Sequence, residues 1–278
     1  MAFSLRVHFP TTYLPRVIKL SKLACFLRVI KLPRLAFPIR INWKPANGGS
    51  TARSKATGSS TGKSSNSVDW TTSGCISTPR EQGRCGSCWA FAAVGAIEAG
   101  QCIANGDKSP PDLSEQQLVS CDTHNLGCNG GVPAYAMQYI QDNGVCTEKS
   151  YPYASVERSS PQCSNSCSPT KSSIKRVVTL TTGDEDGLIS ALKKQPVIVA
   201  VTSDNSVWKQ YMSGVMSSCD STAIDHAVLA VGYDDKSFKI KNSWGTDWGE
   251  KGYVRIARGS NGGTGVCGVL TRMSYPEM

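Results

Sequence analysis

Gln82-Gly83-Arg84-Cys85-Gly86-Ser87-Cys88-Trp89 places a side-chain amide six positions ahead of a cysteine. That cysteine opens an Ala-rich run, Cys88 to Cys102, which reads as a helix. A thiol at neutral pH is mostly protonated and a poor nucleophile. A helix N-terminus and a facing histidine together stabilise the thiolate. The chain supplies a histidine 138 residues later, in Asp225-His226-Ala227-Val228-Leu229-Ala230-Val231. An asparagine follows 154 residues after Cys88, in Lys241-Asn242-Ser243-Trp244-Gly245. Nucleophile (Cys88), base (His226), orienter of the base (Asn242) and oxyanion donor (Gln82) make up the set needed for acyl transfer through a thioester.

Each of these residues has a plainer competing reading. Cys88 could be a disulfide partner, His226 a satisfied core histidine, Asn242 a turn residue, Trp244 a core tryptophan and Gln82 an ordinary loop residue. The combination outweighs them. His8 lies in the basic N-terminal segment, and His124 lies in a polar loop suited to a solvated surface.

Composition narrows the classes. Residues 1–68 hold twelve Lys and Arg and no Asp or Glu, whereas the rest hold eighteen against twenty-one. The basicity therefore belongs to the N-terminal segment, and no nucleic-acid partner is expected for the remainder. No run of eighteen apolar residues predicts a membrane-spanning helix. Residues 1–45 form a basic, proline-interrupted leader, read either as a targeting segment or as a misassigned start. A secretory signal is disfavoured because Arg or Lys recurs every few residues. Residues 46–67 read as a Gly/Ser/Thr/Lys linker. No Asn-x-Ser/Thr sequon occurs.

The remaining residues, 68–278, read as helices first and strands later. Ser114-Glu115-Gln116-Gln117 is a capping-box sequence, and Pro133 suits the first turn of a helix over Ala134–Asp142, closed by Gly144. Beyond Ser190 the apolar runs Val197–Val201, Ala227–Val231, Phe238–Ile240 and Tyr253–Ile256 read as strands. This pattern is α+β with two lobes. Eleven of the twelve cysteines lie here, and setting Cys88 aside leaves ten, enough for five bridges and an oxidising compartment. Metal-type pairs such as Cys85/Cys88 and Cys163/Cys167 lack a matching second half, so no metal and no cofactor is expected.

From about Val68 to Pro276 the chain resembles the papain-like cysteine proteases, of the papain and cathepsin L type. The resemblance is carried by Gln82 through Phe91, Gly127-Cys128-Asn129-Gly130-Gly131, Tyr151-Pro152-Tyr153, Asp225-His226-Ala227-Val228, Lys241 through Gly249, and Gly265-Val266-Cys267-Gly268. The spacings from Cys88 lie close to the roughly 130–150 residues usual in that family.

The resemblance implies a helical N-terminal lobe, a β-barrel-like C-terminal lobe and an active-site cleft between them. It implies a cysteine endopeptidase, with no insertion after Cys128 to convert it to an exopeptidase. The competing classes are a catalytically silent binding or effector homologue and a cysteine acyltransferase. For disulfides it implies Cys85–Cys128, Cys121–Cys163 and Cys219–Cys267. For the remaining four, Cys75–Cys102 and Cys146–Cys167 are the hypothesis. Substrate contacts are expected at Gly86, Trp89, Gly130, Gly131, Asp225 and Trp244. The principal (P2) pocket is expected from Val132, Pro133, Ala200, Ile224 and Arg272, apolar except for Arg272, which predicts that acidic P2 residues are tolerated. Polypeptide substrates, cystatin-like inhibitors, a monomer, and a secreted or lysosome/vacuole-like location complete the expectation. The family's helical inhibitory propeptide is not recognisable in residues 1–67.

Overall fold

A computed structural model describes residues 67–259 and 263–278. The leader 1–45, and the linker 46–67 but for its last residue, lie outside the described residues. Helix α1 (Cys88–Asn105) stops at Gly106, whose φ of 72° turns its N–H back onto the Cys102 and Ile103 carbonyls. Helix α2 (Glu115–Cys121) starts where expected, with Ser114 Oγ accepting the Gln117 N–H at 3.1 Å. The reciprocal half of the capping box is not made. The Gln117 side chain instead accepts the Cys146 N–H at 2.7 Å and donates to the Gly144 carbonyl at 3.3 Å. A tertiary partner has displaced the local one. Helix α3 (Pro133–Asn143) carries Pro133 in its first turn and ends at Gly144.

The second half is less cleanly β than the sequence pattern suggests. Helices α4 (Glu185–Leu192) and α5 (Ser206–Lys209) interrupt strands β1 (Val68–Asp69), β2 (Arg176–Leu180), β3 (Val197–Val201), β4 (Val215–Met216), β5 (His226–Tyr233), β6 (Ser237–Lys241), β7 (Tyr253–Ala257) and β8 (Met273–Glu277). Among the described residues the strands form one sheet in the order β2-β8-β3-β5-β6-β7-β4, with β1 pairing β5. All its pairings are antiparallel except β4 with β7. Pro276 is tolerated within β8 because its position faces away from β2: the neighbouring Glu277 carbonyl takes the Lys175 N–H, and the Pro276 carbonyl takes Gln195 Nε2 at 2.7 Å.

Strand β5 is buried along its whole length. Ala227, Leu229 and Val231 face a core built around α1, while Val228, Ala230 and Tyr233 face the sheet-lobe core of Leu188, Trp208, Phe238 and Ile256. Small residues on α1 let it approach closely. A methyl added at Gly95 would stand 3.4 Å from Leu229, and one at Gly100 only 2.7 Å from Met278. Disulfides join Cys75 to Cys102, Cys85 to Cys128, Cys121 to Cys163, Cys146 to Cys167 and Cys219 to Cys267.

An ionic cluster, with Glu98 and Glu115 buried and Asp112 exposed, includes Glu98 of α1. Arg80 Nη1 donates to both carboxylate oxygens of Glu115 at 2.8 and 2.7 Å, and its Nη2 donates to Glu98 at 3.1 Å and to Asp112. Lys241 Nζ reaches Ser77 Oγ at 2.8 Å, which donates to Glu98 at 2.7 Å. Burial pushes the Glu115 carboxyl up to about 8, against the pull of Arg80, and pushes the Lys241 ammonium down to about 8, against the pull of Glu98.

The sign for Glu115 follows directly. From the ordinary 4.5 up to about 8, the folded state holds a proton that the unfolded state has released. Stability is therefore lost as pH rises through that window, by up to about 1.4 kcal/mol per pH unit. Urea unfolding of the disulfide-intact protein at a series of pH values measures this. Glu115→Gln is expected to flatten the slope between those limits. Parallel profiles for the two proteins would assign the slope elsewhere.

Candidate active site

The site is assembled where the segment before α1 meets the strands of the other lobe. Gln82 N–H donates to the Ser243 carbonyl at 2.9 Å and Gly245 N–H to the Arg80 carbonyl at 3.0 Å, so residues 80–82 run against 243–245. Ser243 Oγ donates to Gln82 Oε1 at 2.6 Å, while Gln82 Nε2 donates to the Cys85 carbonyl at 2.8 Å. A carbonyl can only accept, so the amide nitrogen is assigned. One of its two protons is used, and the other remains for a ligand.

Cys88 sits at the first position of α1, and its Sγ accepts the Ala227 N–H from β5 at 3.3 Å. This brings the Cys88 sulfur beside the start of β5, where His226 stands with only 2% of its surface exposed. His226 Nε2 is 2.7 Å from Asn242 Oδ1. The Ser243 N–H also donates to that oxygen, at 2.8 Å, which fixes the amide orientation. An amide oxygen only accepts, so Nε2 carries the proton and Nδ1 is the deprotonated ring nitrogen of the neutral imidazole.

Trp244 lies 5.1 Å from the imidazole, tilted by 31°, and Trp208 stands edge-on at 6.3 Å. Both rings and both partners of the His226–Asn242 bond are buried. Asp225 is turned elsewhere: its carboxylate accepts the Ser203 and Asp204 N–H groups at 2.7 and 2.9 Å and the Ser203 hydroxyl at 3.0 Å.

The opposite wall is the Gly130-Gly131 segment. Gly130 has φ 111°. A methyl at Gly131 would lie 2.5 Å from Asn125 Oδ1 and 2.6 Å from the Trp89 ring, so only glycine fits there. Trp89 Nε1 donates to the Gly127 carbonyl at 3.1 Å and Gly86 N–H to the Cys128 carbonyl at 2.9 Å. Val132, Pro133, Ala200 and Arg272 line one cavity of about 320 Å³ that also reaches Ala227 and Met273. Ile224 does not line it; it lines a separate groove of about 440 Å³ with Cys219 and Cys267. His124 is exposed, 3.7 Å from the Asp122 carboxylate.

Nothing local in the sequence signals Ser243, whose hydroxyl and N–H hold Gln82 and Asn242, or Asn125, which lies against Gly131 and accepts the Val132 N–H at 2.6 Å. Tyr153 belongs to the Tyr151-Pro152-Tyr153 motif, which by itself signals no role for the hydroxyl. Among the described residues no group of three or more His, Cys, Asp or Glu is placed to hold a metal ion, and no helix is long and apolar enough to cross a membrane.

The family model described as "Papain family cysteine protease" matches residues 64–277. The chain is 39% identical over 216 residues to the thiol protease SEN102 of Hemerocallis sp., covering 76% of this chain and 59% of that protein. It is 40% identical over 215 residues to chymopapain of Carica papaya, covering 76% and 60%. It thus spans about three-fifths of the length of these curated relatives. Among solved structures, the Carica candamarcensis cysteine protease CMS1MS2 in complex with E-64 is 40% identical, with a TM-score of 0.71 over 76% of this chain and 97% of that one. Fold, ordered motifs and these matches agree, and the chain belongs to the papain family of cysteine proteases.

Proposed function

We propose that the protein is a cysteine endopeptidase acting on polypeptides through a thioester acyl-enzyme. The observation that carries this reading is the convergence on β5: Cys88 Sγ at the Ala227 N–H, beside a His226 whose Nε2 is held by Asn242. With Cys88 reduced, a proton shared with His226 Nδ1 gives a thiolate–imidazolium pair. The thiolate attacks the scissile carbonyl carbon, and the negative charge that develops on oxygen is met by Gln82 Nε2–H and the Cys88 backbone N–H. His226 then gives its proton to the leaving amine as the C–N bond breaks. Water adds to the thioester with His226 as base, releasing the carboxylic acid and restoring the thiol.

An extended peptide pairs along Gly130-Gly131, with Gly86, Trp89 and Trp244 framing the scissile bond. Its P2 side chain enters the cavity of Pro133, Ala200 and Arg272. Ile224, which lines the separate groove beside Cys219 and Cys267, takes no part in that pocket. Five disulfides favour a secreted or vacuole- or lysosome-like compartment. Cystatin-like proteins are the expected inhibitors, and a monomer the expected state.

Intact mass after mild reduction and exposure to an epoxysuccinyl probe tests the nucleophile: one adduct is expected on the parent and none on Cys88→Ala. A folded parent that takes no adduct supports a silent homologue instead. Gln82→Ala is expected to lower kcat by roughly 10²–10³-fold with KM little changed. A P2 peptide library should show apolar side chains preferred and Glu or Asp accepted, with acceptance of the acids lost in Arg272→Ser. Acids refused by the parent would reject the role given to Arg272.

A further inference from the structure

The Tyr151-Pro152-Tyr153 motif takes no part in the chemistry above, yet one of its hydroxyls touches both halves of the oxyanion site. Tyr153 Oη donates to the Gln82 carbonyl at 2.9 Å and lies 2.7 Å from Ser87 Oγ. A phenol has one proton. The Gln82 carbonyl can only accept, so that proton is committed to it, and Ser87 must be the donor to Tyr153. The chain therefore runs from the Ser87 hydroxyl, donating to Tyr153 Oη, to the Tyr153 hydroxyl, donating to the Gln82 carbonyl.

Ser87 is fully buried and occupies the N-cap of α1, but its side chain makes no capping bond to that helix. Ser114, Asp184 and Asn205, at the starts of α2, α4 and α5, all make one. The hydroxyl has been withdrawn from the ordinary use of a serine at this position. Tyr153 is itself tightly held. Its ring meets Phe91 of α1 edge-on at 5.0 Å and 75°. Its N–H donates to Glu148 Oε1 at 2.8 Å, and the Ala154 N–H donates to Gln116 Oε1 at 2.7 Å. Burial pushes the phenol up to about 12, so it keeps its proton throughout the neutral range.

We propose that Tyr153 is a positioning residue for the oxyanion site: its hydroxyl ties the Gln82 carbonyl to the residue preceding Cys88. It thereby sets the spacing between the Gln82 side-chain amide and the Cys88 backbone N–H. The inference rests on the protease reading. Ser243 holds Gln82 to the C-terminal lobe; Tyr153 holds it to α1. Two donors must converge on one oxygen in the transition state, and loosening either weakens both.

The test is Tyr153→Phe in the full, reduced chain, which keeps the ring against Phe91 and removes only the hydroxyl. With a peptide amide substrate, kcat is expected to fall about tenfold, with KM within about twofold. Alkylation of Cys88 by iodoacetamide, which needs the thiolate but develops no oxyanion, should keep its rate. In a Gln82→Ala background the same substitution should cost little more. Ser87→Ala cuts the relay at its other end and should show the same split, so it carries the test if Tyr153→Phe does not fold. Unchanged kcat in both variants, a parallel loss of alkylation, or a full tenfold loss without Gln82 would each overturn the inference. A folded parent that alkylates but cleaves no peptide would overturn the protease reading, and this inference with it.

Discussion

Helix α1 packs along strand β5, and that contact delivers Cys88 to the Ala227 N–H at 3.3 Å. The strand has no solvent face. Ala227, Leu229 and Val231 need α1 and its neighbours to cover them, while Val228, Ala230 and Tyr233 need the rest of the sheet lobe. Burying each large apolar side chain contributes roughly 1.5–3 kcal/mol. The two cores therefore share one strand, and separating the lobes would expose it. The position of the cysteine relative to the histidine is thus a by-product of closing the core. That is why the thiol and the imidazole can be held together without a direct covalent tie between α1 and β5.

Polar interactions then fix orientation within this apolar frame. The run of residues 80–82 against 243–245 brings Gln82 to the C-terminal lobe, and the Ser243 hydroxyl turns its amide. The Ser243 N–H turns the Asn242 amide in the same way. One residue thereby sets the direction of both the Gln82 amide and the Asn242 amide that meets His226. The ionic cluster of Arg80, Glu98, Glu115 and Lys241 braces the same region from behind, since Arg80 and Lys241 lie within two residues of Gln82 and Ser243.

Much of this was legible in the sequence because its signals are local. Cys88 opens an Ala-rich run, Pro133 and Gly144 bracket α3, β3 and β5 contain continuous apolar stretches, and β6 and β7 alternate apolar residues with Lys239 and Arg255. Strands β2 and β8 carry no such signal. Arg176-Val177-Val178-Thr179-Leu180 is only half buried at the sheet edge, and β8 contains a proline whose position is harmless only once its register is known. The short helices α4 and α5 are set mainly by Asp184 and Asn205 capping, too brief a signal against their surroundings. The Gln117 side chain left its local capping partner for the backbone of residues 144–146, a choice that only the tertiary structure offers. Contacts such as Tyr153 with Gln82, or Lys241 with Ser77, join residues 71 and 164 apart, and nothing local announces them.

The central claim is that His226, oriented by Asn242, shares a proton with Cys88 across the lobe boundary. The most direct measurement is the rate of Cys88 alkylation by iodoacetamide as a function of pH in the reduced protein. The account predicts a plateau that begins well below the ordinary thiol value of about 8.5 and disappears in His226→Ala. A single rise centred near about 8.5, the same in both proteins, would contradict it.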